Sequence, residues 1–134
     1  MKIPKFEAQT EWVKPSEFPD LRHVDEIAID LETKDPDLLK KGSGSVIKNG
    51  EVIGIAVATK HFKGYFPIAH EGGGNMDRSR VMSWLKDILE SPCTKVFHNA
   101  MYDVCWLRAM GFKINGDIAC TMIAAALTDE NRFR

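Results

Sequence analysis

The clearest periodicity in the chain is helical. Val81, Trp84, Leu85, Ile88 and Leu89 recur at i, i+3, i+4, i+7 and i+8, the spacing of one face of an α-helix. Asp77 stands where an N-cap belongs, and Pro92 follows the last apolar position. Upstream the pattern is of strand type. Ile27-Ala-Ile-Asp-Leu-Glu-Thr33 predicts a first strand over about 26–32, a mostly buried apolar run that closes on two acids. Lys34-Asp-Pro-Asp37 and Lys40-Lys-Gly-Ser-Gly-Ser45 read as a loop, and Lys48-Asn-Gly50 as a turn. Val52-Ile-Gly-Ile-Ala-Val-Ala58 is then a buried strand, Lys60-His-Phe-Lys-Gly64 a hairpin connection and Tyr65-Phe-Pro-Ile68 the returning strand. Pro67 cannot donate to a ladder, so that strand is expected to lie at an edge or to be short. A loop over His70–Asn75 leads into the helix.

Beyond the helix, Lys95-Val-Phe-His98 is a short strand. Asn99 is placed to cap a second helix, which runs to about Met110 and stops at Gly111. Asp117-Ile-Ala119 predicts a last strand, and Thr121–Leu127 starts a further helix with no glycine or proline stop before Asn131-Arg-Phe-Arg134. The order β-β-β-α-β-α-β-α predicts an α/β fold: a three-strand meander continued as a mixed sheet with helices on its faces. Residues 1–24 show no clear period, and Trp12, Val13, Phe18 and Leu21 are the expected anchors of an arm laid on a domain over 25–134.

Composition narrows the class. A chain of 134 residues, 44% hydrophobic and 28% charged, reads as one soluble domain with a single core. Its net charge of −1 argues against a passive nucleic-acid-binding module, which needs phosphate-neutralising charge. It argues little against an enzyme that meets phosphates through bound metals. The three cysteines, Cys93, Cys105 and Cys120, form no C-x-x-C, so buried thiols in a reducing compartment are expected. No apolar run reaches the length of a membrane span, and Met1-Lys-Ile-Pro-Lys5 opens no secretory signal. Gly42 and Gly44 build no phosphate cradle, since neither G-x-G-x-x-G nor a G-K-[ST] ending is present.

Chemistry concentrates on acids. Residues two apart on a strand share a face, so Asp30 and Glu32 point the same way. Carboxylates that close repel each other unless something positive lies between them, and a divalent cation with oxygen ligands is the general solution. D-x-E by itself also marks an ordinary solvated strand end. Asp103 adds a second observation: it aligns with Trp106, Leu107 and Met110 at i+3, i+4 and i+7, on the inward face of its helix. A helix-start acid favoured by the macrodipole is the common fate of such a residue. The functional reading makes it a third ligand for a cation held by Asp30 and Glu32.

D-L-E-T at 30–33 and N-A-M-Y-D at 99–103, placed after a β-meander, resemble the first two motifs of the DEDD superfamily of 3′–5′ exonucleases. Within it the chain is most similar to the proofreading exonuclease domain of family A DNA polymerases, phage ones especially. Tyr65-Phe-Pro-Ile-Ala-His-Glu-Gly-Gly-Gly-Asn75 and the lead-in Trp12 with Phe18-Pro-Asp-Leu21 share the likeness, which covers nearly all of the chain. The resemblance implies an RNase H-like fold and a two-metal hydrolysis of the 3′-terminal phosphodiester of single-stranded DNA, in a bacterial or phage-infected cytoplasm. Two Mg²⁺ ions, with Mn²⁺ as substitute, would lie about 3.5–4 Å apart. Asp30 would bridge both ions, Glu32 would bind one and orient the water, and Asp103 would hold the second. Thr33 and Asn99 would contact the terminal nucleotide, with Tyr102 packed near the strand. His98 is expected as a strand-end residue and not a ligand.

The superfamily's third motif, Y-x-x-x-D or H-x-x-x-D, has no match after Asp103. Asp117, Asp129 and Glu130 are preceded four residues earlier by Lys113, Ala125 and Ala126. Cys120 also stands where the family often has Asp before T-M. The expectation is a partial domain without its C-terminal helices, weak or inactive alone, whose partner is the remainder of a polymerase chain or a split-gene product. Two alternatives stand beside it: a non-catalytic RNase H-like interaction domain, which metal titration would expose, and an RNA-trimming exonuclease, which parallel DNA and RNA digestion would expose. A nucleotide-binding α/β domain fits poorly, because no glycine-rich loop follows the first strand.

Overall fold

A computed structural model describes residues 13–128. Its centre is a five-stranded sheet of β1 (Glu26–Lys34), β2 (Glu51–Ala58), β3 (Lys63–Pro67), β4 (Thr94–Phe97) and β5 (Ile118–Cys120), in the order β3-β2-β1-β4-β5. The first three strands form an antiparallel meander, while β4 lies parallel to β1 and β5 parallel to β4. This is the mixed sheet that the sequence pattern predicts, in the RNase H-like form that the resemblance implies. Pro67 ends the edge strand β3, where its missing N–H costs least.

β1 is central, yet only half of it is buried. Ile27, Ile29 and Leu31 enter the core, whereas Ala28, Asp30 and Glu32 are exposed. The expected mostly buried strand is corrected here to strict alternation. Register extends the open face sideways, since Asp30 faces Ala56, Glu32 faces Gly54 and Ala28 faces Ala58 on one side and Val96 on the other. The buried face carries Ile55, Val57, Phe66 and Phe97 as well, and joins the apolar sides of two long helices in one core. Burying side chains of this size contributes roughly 1.5–3 kcal/mol each.

The first of those helices matches its periodicity. It spans Arg78–Glu90, its N-cap Asp77 accepts from the Arg80 N–H, and Val81, Leu85, Ile88 and Leu89 are its buried residues. The second spans Ala100–Ala109 and buries Asp103, Val104, Trp106 and Leu107. Gly111 stops it with φ +94°. A last helix covers Thr121–Thr128 with no buried residue. Residues 34–45, expected as loop, instead carry the four-residue helices Leu38–Lys41 and Gly44–Ile47. In chain order these five helices are α1 (Leu38–Lys41), α2 (Gly44–Ile47), α3 (Arg78–Glu90), α4 (Ala100–Ala109) and α5 (Thr121–Thr128).

Other expectations are corrected in detail. Asn99 occupies the N-cap position of α4 in the left-handed region, φ 59°, and its side chain caps nothing. Val13 is 81% exposed and anchors nothing, whereas Leu21 is buried and Phe18 stacks on Phe66 at 5.7 Å. The Trp84 indole N–H also donates to the Pro19 carbonyl at 2.8 Å, fixing that part of the arm. The anchor expected at Trp12, and the acids Asp129 and Glu130, lie outside the described residues. Cys93 is buried, but Cys105 and Cys120 are half-exposed.

Candidate active site

β1 delivers its acids to the open face as it passes the end of β4. Pairing between the two strands reaches Ala28 with Val96, and a register shift follows Glu32 on the β2 side. The N–H of Leu31 is therefore left to another acceptor. Asp103 supplies it: one carboxylate oxygen, Oδ2, lies 3.4 Å from that nitrogen. Leu31 sits between Asp30 and Glu32, so the acid of α4 is fixed against the segment that carries the other two.

Asp103 is 3% exposed, and its environment is hostile to charge. Burial first, and the Asp30 charge second, push its pKa up to about 7, against the pull of the Leu31 N–H; Glu32 adds a smaller push. Among the described residues no three His, Cys, Asp or Glu side chains close into a ready-made cage. The acids are thus near enough to repel and not drawn up around an ion. A cation between them would remove the repulsion and let Asp103 ionise, which is how oxygen-donor sites for hard cations operate. On that test the residues fit a divalent metal.

The residues expected near the nucleotide are placed as follows. Thr33 and Tyr102 meet each other, hydroxyl to hydroxyl, at 2.8 Å, and Tyr102 also donates to Asp35 Oδ2 at 2.9 Å. Asp35 in turn accepts from the Gly44 N–H at 3.0 Å, so α2 is tied to the same cluster. Asn99 is exposed, with its side chain unspent on capping. His98, one residue past β4, lines a cavity of about 870 Å³ together with Asp30, Ala28, Ala56, Ala58 and Val96. Its Nδ1 bonds to the Thr121 hydroxyl at 3.0 Å.

Sequence reasoning missed Asp35, whose role depends on a loop conformation that short helices create. It also gave no role to Tyr65 and His70, although the Tyr65–Asn75 stretch carried part of the resemblance. Tyr65 Oη and His70 Nε2 are hydrogen-bonded, and Tyr65 lines the same cavity as Asp30. Cys120, the last residue of β5, has its thiol pKa lowered by backbone N–H groups, that of Ala100 foremost.

The 3′–5′ exonuclease family description matches residues 16–133. Among curated proteins the chain is similar to a DNA-directed DNA polymerase of Pseudomonas phage M6, 41% identical over 81 residues, which cover 58% of this chain and 12% of the polymerase. It is also similar to the DNA polymerase DpoZ of Salmonella phage PMBT28, 29% identical over 116 residues, 85% of this chain and 16% of DpoZ. Among solved structures, Brucella melitensis NrnC matches with a TM-score of 0.55 at 24% identity, over 86% of this chain and 50% of NrnC. NrnC has also been solved with bound Mg²⁺ and bound to pGG. The chain therefore spans a small part of those polymerases and half of NrnC.

Proposed function

The chain belongs to the 3′–5′ exonuclease family of DNA polymerase A, and from that premise we propose that its acidic cleft removes the 3′-terminal nucleotide of single-stranded DNA with two divalent cations. The observation that carries this reading is the 3.4 Å approach of Asp103 Oδ2 to the Leu31 N–H, which brings acids some seventy positions apart in the chain to one place. Asp30, Glu32 and Asp103 would hold the cations; bound there, these supply an activated water and charge stabilisation for the departing 3′ oxygen. Mg²⁺ suits an all-oxygen donor set that meets phosphate, with Mn²⁺ as a substitute.

The chain's own groups supply position. Asn99, exposed beside the start of α4, is free to meet the terminal nucleotide. Thr33 and Tyr102 brace one another through their hydroxyls, and Tyr102 also donates to Asp35, so these groups would be set before substrate arrives. Preorganised partners of this kind matter because a misplaced reacting group loses rate steeply.

The phage relatives are DNA polymerases that carry the matching region as 12% and 16% of their length. The proposed setting is accordingly the remainder of a polymerase chain or a separate partner, with a single-stranded 3′ end as substrate. The test is digestion of 5′-labelled DNA and RNA oligonucleotides with Mg²⁺ or Mn²⁺, alongside calorimetry of metal binding. The expected result is metal binding that Asp30→Asn abolishes, and stepwise shortening of DNA from its 3′ end. Metal binding indifferent to Asp30→Asn would favour a non-catalytic domain, and preferential shortening of RNA would overturn the choice of substrate.

A further inference from the structure

We infer that Tyr65 and His70 form a positioning pair for Glu32, with the Tyr65 hydroxyl donating to the Glu32 carboxylate and His70 Nε2–H donating to that hydroxyl. This rests on the proposed reading of Glu32 as a metal-holding acid. Neither residue is given a role by the motifs that carry that reading.

The argument begins with a glycine. Gly54 is the cross-strand partner of Glu32, and antiparallel partners project from the same face with Cβ positions about 4.5–5.5 Å apart. A Cβ at residue 54 would overlap the Tyr65 hydroxyl and the ring carbon that bears it. The hydroxyl thus occupies the space that the side chain of residue 54 would fill. It lies beside Glu32 on the open face, although Tyr65 itself is paired with Ala56. A phenol hydroxyl is protonated at neutral pH and so has a proton to donate.

Direction follows from charge. If the hydroxyl donated to His70, its lone pairs would face a carboxylate. If His70 donates, the O–H faces the carboxylate, and charge-assisted bonds of that kind are the stronger ones. His70 is held for the task. Its backbone N–H donates to Asn75 Oδ1 at 2.7 Å, and its backbone carbonyl accepts from Asn75 Nδ2 at 3.0 Å. The next residue, Glu71, is paired with Lys34 at the end of β1, which ties this loop to the strand that carries Glu32. The arrangement is that of an outer partner orienting a metal ligand, whose loss commonly lowers metal affinity or activity by about 10–100-fold.

The test is Mn²⁺ binding to the 134-residue chain, read from the free-ion paramagnetic resonance signal, with DNA cleavage as second readout. Tyr65→Phe keeps the ring over Gly54 and removes the hydroxyl. It is expected to weaken Mn²⁺ binding by about 10–100-fold, to lower kcat with an unchanged KM for DNA, and to add nothing in a Glu32→Gln background. His70→Ala is expected to reproduce the loss, and His70→Gln, which retains an N–H donor, to restore most of it. That second pair decides the matter should Tyr65→Phe fail to fold by circular dichroism. Wild-type affinity in Tyr65→Phe or His70→Ala, while Glu32→Gln and Asp30→Asn bind weakly, overturns the pair and leaves the metal reading intact. Unchanged binding in Glu32→Gln and Asp30→Asn, or no binding by the wild type, overturns the metal reading and this inference with it.

Discussion

Asp103 sits where a carboxylate should not be, nearly sealed from water and beside two other acids. Its folded pKa of about 7 exceeds the ordinary value near 3.8, so over that interval the folded chain holds a proton that the unfolded chain has lost. Metal-free stability should therefore fall as pH rises from about 4 to about 7 and level off above. Asp103→Asn removes the slope and is expected to stabilise the metal-free protein by ~1–3 kcal/mol near neutral pH and above. Urea denaturation across that range checks it, and a flat wild-type profile would contradict it. The inward aim of Asp103 was legible from its spacing to Trp106 and Leu107. Its company was not, because nothing local places it against Leu31. Lys95 shows the same limit more sharply. It reads as a polar residue of a short strand, yet it is fully buried, and its ammonium donates to the Ser91 and Asn115 carbonyls. Lys95→Ala leaves a cavity and two buried acceptors unpaired, so a loss of ~2–5 kcal/mol in the urea midpoint analysis is expected.

Elements differed in how plainly their residues announced them. α3 is long, amphipathic and capped, and periodicity, N-cap and stop agree on it. α1 and α2 have four residues each, too short for any period to register. What holds α2 is a set of polar bonds: Ser43 caps it and Asp35 accepts its first N–H. Asp35→Ala should therefore loosen residues 43–47 and release Tyr102, while α3 is untouched. Hydrogen exchange should show faster exchange in peptides covering 38–49, and equal protection there in both proteins would refute the bond's importance. The cap at Asn99 misled for a physical reason. Its backbone is left-handed where a capping residue is normally extended, and its side chain makes no capping bond, which sequence preference alone does not reveal.

For the whole molecule, the antiparallel meander and the mixed pairing were readable from the element order, whereas the place of β4 beside β1 is set by the fold and was not. The open sheet face was hidden. Alanine counts as apolar in any pattern, so Ala28, Ala56 and Ala58 made β1 and β2 look buried on both sides. Those small residues instead form the floor of the cavity that Asp30 lines. Net charge hid the local electrostatics too, since a value of −1 for the chain conceals that the Asp30 and Glu32 charges act on Asp103. Among the described residues no helix is long and apolar enough to cross a membrane. The most direct test of the account is calorimetric titration of Mn²⁺ into the wild-type chain and into Asp103→Asn at neutral pH. The account predicts that the wild type binds and that the variant binds at least about tenfold more weakly. Identical isotherms would contradict it, because Asp103 would then hold no share of the ion.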